Sequence, residues 1–332
     1  KRRGGSNVCC RRRRYHQNAC CDSAANQLLA SSAVTFLRLG LIGNPLGHSL
    51  SPQIHGAFLR QFSLPGRYDL RAGANAASLL DQAIEDGYTG LNVTIPHKVA
   101  VIKSLPALSE EARLVGAVNT IRLKWDEDAD DTECGIMGFN TDIAGLSRTL
   151  RQAPAKFPGQ KAILLGGGGA ARACLVAMQR LSMSGCHILC RNPQNVFSML
   201  KELALSGFDP VFLQEINVLT IDELPGKLDQ LADAKLFVNA TPLGQTKDEL
   251  PFWLTPLLSA LIRDAFIFDL VYSAGGLTPV ITLAAKLGFA LHCDGREMLV
   301  EQARQAFKIW TGLTPSYQVG LEALEKALKS RV

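Results

Sequence analysis

An alternation of two patterns most narrows what this chain can fold into. Short apolar runs punctuated by Gly, Pro or Asn recur along it: "FLRLGLIG" (36–43), "TGLNVTI" (89–95), "AVNTIRL" (117–123), "QKAILLG" (160–166), "GCHILCR" (185–191), "AKLFVNA" (234–240) and "AFIFDLV" (265–271). Between them lie longer stretches with helical spacing, such as "ASLLDQAIEDG" and "AARACLVAMQRLSMSG". Buried strands alternating with helices predict an α/β protein with parallel sheets and crossover helices. At 332 residues, 47% of them hydrophobic, the chain can build two domains, each with its own core. No run approaches the roughly 18 uninterrupted apolar residues of a membrane span, so no membrane partner is expected.

The formal charge of +5 invites a nucleic-acid reading until its location is considered. Residues 1–38 hold eight of the 35 Lys/Arg and one of the 30 Asp/Glu, which leaves 27 basic against 29 acidic residues elsewhere. The body is slightly acidic and no nucleic-acid partner is expected of it. The leader, 1–36, is rich in Arg and Ser and has no strand or helix period. It is read as a disordered extension, with a transit peptide or a nucleic-acid arm as lesser alternatives. Cys9, Cys10, Cys20 and Cys21 lie in the leader, and Cys134, Cys174, Cys186, Cys190 and Cys293 in the body. Their scatter and odd number in the body suggest free thiols in a reducing, cytoplasmic compartment.

"AILLGGGGAARACLVAM" carries the strongest chemical signal: a strand runs into Gly166, Gly168 and Ala171, spaced G-x-G-x-x-A, and a helix follows. Such glycines let the backbone turn tightly and approach a pyrophosphate, while the helix start offers free N–H groups and a positive dipole end. Arg191, 25 residues beyond Gly166 at the end of the next strand, stands where an NAD enzyme usually places Asp or Glu. A guanidinium suits a 2′-phosphate, so the expected cofactor is NADP.

Three polar clusters interrupt the apolar runs of residues 36–145. Ser49 and Ser51 in "GNPLGHSLSPQIHGAFL" offer two hydroxyls to a carboxylate or diol, although Ser51 before Pro52 also reads as a helix cap. In "NVTIPHK", a strand expected to bury Val93 and Ile95 stops at Pro96 and presents Lys98 just past the sheet edge, near Asn92 and Thr94. A lysine at a helix start is electrostatically uncomfortable, which favours a function for it. "AVNTIRL" and "GFNTDIAGL" supply Asn119, Asn140, Thr141 and Asp142, the last three also readable as a helix cap.

With these residues the chain resembles the shikimate dehydrogenase family, NADPH-dependent reductases of 3-dehydroshikimate in aromatic amino acid biosynthesis. The match runs from about Leu39 to Leu328, through "GNPLGHSLSP", "GLNVTIPHK", "GAVNTI", "GFNTDIAGL", "LLGGGGAARA", "FVNATPLG", "DLVY" with "LTP", and "DGREMLVEQARQAF". The resemblance implies two domains with a cleft between them. The substrate-binding domain is 37–141, completed by a C-terminal helix at 300–330, and a Rossmann-type NADP domain spans 142–299. It implies Lys98 and Asp142 as catalytic residues, and Ser49, Ser51, Thr94, Asn119, Tyr272 and Gln302 as substrate contacts. For the cofactor it implies Gly166, Gly168, Gly169 and Ala170 of the loop, Arg191 with Asn192 near the 2′-phosphate, and Thr241 near the ribose and nicotinamide.

Hydride transfer to a carbonyl carbon builds negative charge on the oxygen, and an ammonium at Lys98 can stabilise it or donate the proton. Three departures from the family pattern bear on rate and substrate preference: Ile143 in place of the usual Gly after N-T-D, "SAGG" after Tyr272, and the acidic stretch "DEDADDTE" (126–133), expected to lengthen a hairpin. A quinate or quinate/shikimate dehydrogenase using NAD(P), and a non-catalytic NADP-binding sensor, are the competing readings. His48, His55, His97 and His187 are assigned structural or solvated roles, and no metal is expected because no ligand spacing is present. The small-molecule substrate is expected to meet a monomer or homodimer.

Overall fold

The computed structural model describes residues 36–123, 135–245, 249–273 and 277–330. The leader with its four cysteines, Cys134, the acidic stretch 126–133 and positions 274–276 of the "SAGG" loop lie outside the described residues. Two six-stranded sheets organise the described residues.

The first sheet uses β1 (Leu37–Gly43), β2 (Gly66–Ala72), β3 (Gly90–Val93), β4 (Ala107–Leu108), β5 (Thr120–Arg122) and β6 (Met137–Phe139), ordered β2-β1-β3-β5-β6-β4. Helices α1 (Ser51–Gln61), α2 (Ala76–Glu85) and α3 (Glu110–Val115) connect them, with a 3-10 turn at Ala100–Ser104. β1 pairs in parallel with β2 and β3, but β5 runs antiparallel to both β3 and β6. This corrects the expectation of wholly parallel sheets. The segment after β3 stays at the end of the sheet where that strand leaves it: Val118 N donates to Lys98 O, and Val93 N to Asn119 O, both at 2.8 Å. The chain re-enters from that edge, so the start of β5 lies beside the end of β3.

The second sheet follows α4 (Asp142–Gln152). Its strands β7 (Lys161–Leu165), β8 (Gly185–Cys190), β9 (Ile216–Thr220), β10 (Leu236–Asn239), β11 (Phe266–Asp269) and β12 (His292–Cys293) are all parallel, ordered β12-β11-β10-β7-β8-β9. Between them run α5 (Gly169–Arg180), α6 (Pro193–Leu205), α7 (Pro210–Gln214), α8 (Leu228–Leu231), α9 (Leu254–Ala260) and α10 (Pro279–Lys286), with a 3-10 turn at Ile221–Gly226. This is the doubly wound order, whose strand sequence reverses direction between β7 and β10, where such sheets bind ligands. β8, β10 and β11 are buried along their whole length, as expected of strands covered on both faces.

After β12 the chain returns to the first sheet through α11 (Arg296–Thr311) and α12 (Tyr317–Lys329). Residues 300–330 are thus two helices: Gly312, at φ +73°, caps α11 in the left-handed conformation. Phe307 and Trp310 of α11 pack into the core formed by β1, α1 and α12, and the Trp310 indole N–H donates to Ile121 O at 2.9 Å. A Cβ at Gly90 would lie 2.5 Å from that indole ring, so only glycine allows this approach. All seven expected strands are present, each shortened by one to three residues at one end or at both.

Candidate active site

Lys98 is fixed by the turn that follows β3. Thr94 N donates to Ile42 O, His97 N to Thr94 O, and Lys98 O receives Val118 N. The side chain then reaches α4, where its Nζ lies 2.6 Å from Asp142 Oδ2. The lysine side chain is 15% exposed and the aspartate 5%, so the pair is largely screened from water.

Asp142 is held by its neighbours. It is the first residue of α4, and the Asn140 Oδ1 accepts from both Asp142 N (3.1 Å) and Ile143 N (3.4 Å). Asn140 therefore does the capping, while Thr141, at the N-cap position, makes no side-chain cap bond. Asn119 Oδ1 accepts from Thr141 N at 2.8 Å, which turns its Nδ2 toward Asp142 Oδ1, also at 2.8 Å. One carboxylate oxygen thus faces an amide and the other an ammonium. Beneath them runs a buried chain: Tyr68 OH donates to Asn92 Oδ1 (2.8 Å), Asn92 Nδ2 to Thr120 Oγ1 (3.0 Å), and Thr120 Oγ1 to Asn119 Oδ1 (3.1 Å). Buried polar chains of this kind hold one arrangement because each unmade bond is costly.

A cavity of about 350 Å³ opens over this group. Ser49, Ser51, Thr94, Lys98, Asn119, Asp142, Ala170, Tyr272 and Gln302 all line it, so every expected substrate contact and both expected catalytic residues share one space. Ser51 is the first residue of α1 and does not cap it; the N-cap position is Leu50, without a side-chain bond. The expected helix cap is absent because Ser51 lies inside the helix. Its own N–H instead donates to Ser49 Oγ at 3.3 Å.

The glycine loop joins β7 to α5 at the point where the strand order reverses. Gly166 has φ +118°, and a Cβ there would lie 2.9 Å from the Thr241 methyl, so both conformation and space require glycine. A Cβ at Gly168 would meet nothing within 4 Å: it would project into open space ahead of the start of α5. At Gly169 a Cβ would press on the Lys98 stem. Arg191 is exposed just past β8, and Asn192 caps α6 by accepting from Gln194 N at 3.0 Å. These residues fit a dinucleotide phosphate: glycines clear the approach, a helix start supplies N–H groups, and a cation stands at the ribose end.

A family model described as the shikimate dehydrogenase substrate binding domain matches residues 41–121, and one described as the shikimate 5'-dehydrogenase C-terminal domain matches 295–325. The shikimate dehydrogenase (NADP(+)) of Microcystis aeruginosa is 35% identical over 298 residues, 87% of this chain and 96% of its own. The chain belongs to the shikimate dehydrogenase family. A solved shikimate dehydrogenase in complex with NADP+ superposes with TM-score 0.75 at 28% identity, covering 90% of this chain and 99% of its own. The quinate dehydrogenase of Corynebacterium glutamicum, solved with NAD, gives TM-score 0.72 at 26% identity, over 88% of this chain and 100% of its own.

Against the family pattern, two expectations are corrected. Ile95, expected in the buried strand, is 47% exposed, because β3 ends at Val93 and the turn carries Ile95 outward. Ile143, expected to bear on substrate preference, points away from the cavity: it is 2% exposed and packs with Leu146, Leu150 and Ala171 in the core. His97 is buried, its Nε2 2.8 Å from Gly73 O. His48, by contrast, lines the cavity. Asn92, Gln245, Gly295 and Met298 line it too and were not among the expected site residues. Asn92 carried a signal, a polar side chain in an otherwise apolar strand, whereas Gln245, Gly295 and Met298 carried none. Among the described residues no group of His, Cys, Asp and Glu could hold a metal ion, and no helix is long and apolar enough to cross a membrane.

Proposed function

We propose that this chain is an NADP-dependent shikimate dehydrogenase, an oxidoreductase that reversibly reduces 3-dehydroshikimate to shikimate in aromatic amino acid biosynthesis. The observation that carries this reading is the Lys98–Asp142 pair, 2.6 Å apart in the cavity wall, with the start of the glycine-loop helix packed against the lysine stem. A reducible carbonyl in the cavity and a nicotinamide on the loop would meet at that pair.

When bound, NADPH supplies the hydride that adds to the C3 carbonyl carbon. Lys98 faces the carbonyl oxygen with ammonium N–H groups not engaged by Asp142, stabilises the charge that develops there and delivers the proton. Asp142 and Asn119 hold the ammonium in place and accept or donate to the neighbouring hydroxyl. Ser49, Ser51 and Tyr272 receive the substrate carboxylate at the other end, with Thr94 and Gln302 on the ring hydroxyls. Gly166, Gly168, Gly169 and Ala170 would hold the pyrophosphate, Thr241 the ribose and nicotinamide, and Arg191 with Asn192 the 2′-phosphate.

The substrate domain is assigned to 37–141 completed by 300–330, and the NADP domain to 142–299. Every residue expected to meet the substrate lines the cavity from one chain, which supports a monomer or homodimer. The thiols Cys174, Cys186, Cys190 and Cys293 are free, which suits a reducing cytoplasm.

A quinate enzyme using NAD is the second reading, since that fold is shared. Arg191, in place of an acid at the end of β8, favours NADP. The test is absorbance of reduced cofactor while 3-dehydroshikimate or 3-dehydroquinate is crossed with NADPH or NADH. Oxidation of NADPH by 3-dehydroshikimate is the expected result. A preference for 3-dehydroquinate with NADH would replace it with the quinate reading, and no turnover in any pairing, with NADPH still bound, would make the chain a non-catalytic binder.

A further inference from the structure

Asp269 ends β11 with no exposed surface and does not line the cavity, yet the cavity wall and the loop at Thr241 are both tied to it. Its Oδ1 accepts from Asn239 Nδ2 (2.8 Å) and Val271 N (3.1 Å), and its Oδ2 from Thr278 Oγ1 (2.5 Å). A carboxylate has no proton to give, so the Asn239 amide must present its NH₂ to Asp269 and its oxygen the other way. That oxygen accepts from Thr241 Oγ1 (2.6 Å) and Thr241 N (3.1 Å), while the same NH₂ also reaches Leu243 O (3.0 Å). The loop so folded places the Thr241 methyl against Gly166.

The other bonds act on the substrate side. Val271 is fixed between Leu270 and Tyr272, which line the cavity, and Val271 O accepts from Gly295 N (3.0 Å), where α11 with its Gln302 begins. Thr278, at the N-cap of α10, accepts from Ile281 N while donating to Asp269.

We propose that Asp269 is a positioning residue: by orienting the Asn239 amide and the Val271 backbone together, it sets the cofactor loop at Thr241 and the substrate contact at Tyr272 in one arrangement. This rests on the dehydrogenase reading given above. The groups facing Asp269 are Asn239 from β10, Thr278 from α10, Cys293 from β12 and, beyond it, Asp294, whose carboxylate is paired with Arg296 at 2.9 Å. Burial, with a smaller contribution from the Asp294 charge, pushes the Asp269 carboxyl up to about 6, so mild acid withdraws the acceptor on which the arrangement depends.

Steady-state kinetics with NADPH and 3-dehydroshikimate test this on the full chain, for wild type, Asp269→Asn, Thr278→Val and Thr278→Ser between pH 5 and 8, with thermal melts alongside. Asp269→Asn is expected to raise KM for both ligands roughly tenfold at pH 7.5, the size of one lost buried charge-assisted bond. The ratio of its KM to that of wild type falls toward one below about pH 6 as wild-type Asp269 protonates; titration of the ligands cancels in that ratio. Thr278→Ser keeps the donor and stays near wild type, Thr278→Val does not, and this pair carries the test if Asp269→Asn fails to fold. Asp269→Asn or Thr278→Val melting at a different temperature but keeping both KM values within about twofold of wild type overturns the proposal, as does an Asp269→Asn to wild-type KM ratio that is the same at pH 5 and pH 8. Wild type inert toward both ligands overturns it together with the dehydrogenase reading, whereas active wild type with unaltered variants overturns it alone.

Discussion

Gly169 backs directly onto Lys98: a Cβ added at the glycine would lie 3.3 Å from Lys98 Cβ and 3.4 Å from its Cδ. The first residue of the glycine-loop helix and the stem of Lys98 therefore share one contact. The positive helix end meets hydrocarbon, while the ammonium turns to Asp142. Substituting Gly169→Val should push the stem aside and lower kcat by roughly tenfold or more, since a misplacement of about an ångström is expensive in an oriented site.

Gly168 provides the contrast. A Cβ there meets no protein atom within 4 Å, and its φ of −93° suits any residue. Gly168→Ala should melt within about 2 °C of wild type, because no buried contact changes. KM for NADPH should nevertheless rise roughly tenfold, the methyl occupying the approach of the pyrophosphate. An unchanged KM would remove the phosphate from this loop.

Arg191 is the residue proposed to meet the 2′-phosphate and so to set the choice of cofactor. Loss of its guanidinium in Arg191→Ala should raise KM for NADPH roughly tenfold to a hundredfold, in line with one or two charge-assisted bonds, and leave KM for NADH nearly as it was. Kinetics with both cofactors check this. Equal effects on the two would assign Arg191 a general electrostatic role.

His55 predicts a pH effect on stability. It is fully buried beside the Asn92 side chain, and it stacks on Tyr68 with ring centroids 4.5 Å apart. Desolvation lowers its pKa from 6.5 to about 3. A depressed histidine protonates in the unfolded chain before it does in the folded one, so stability is full above about 6.5 and falls toward 3. The slope is at most about 1.4 kcal/mol per pH unit. Denaturant melts at pH 7 and 5 should show wild type losing more stability than His55→Phe, which has no proton to bind.

The site was legible where chemistry and strand ends coincide. Lys98, Asn119 and Asp142 could be read because polar residues terminate apolar runs, and Gly166 because a strand and a helix flank it. β2, β4, β6, β9 and β12 were missed: β2 and β9 are edge strands, half exposed, with "GRYDLRA" broken by charges, and the other three are only two or three residues long. The reversed direction of β5 is set by the backbone bonds of Lys98 and Asn119, which leave no trace in side-chain pattern. Ile143 misled for a related reason, since the face of a helix that its first turn presents is fixed by packing against α5 and α11. Asp269 stood inside a quoted strand and gave no sign that three donors converge on it.

The ammonium held by Asp142 is proposed to support the charge on a carbonyl oxygen, and Lys98→Ala removes that ammonium alone. Turnover of 3-dehydroshikimate at saturating substrate and NADPH, with binding of each ligand checked separately, is the measurement. A fall in kcat of roughly a hundredfold to ten-thousandfold is expected, with NADPH still bound. Near-normal turnover in the variant would contradict it and move the chemistry away from Lys98.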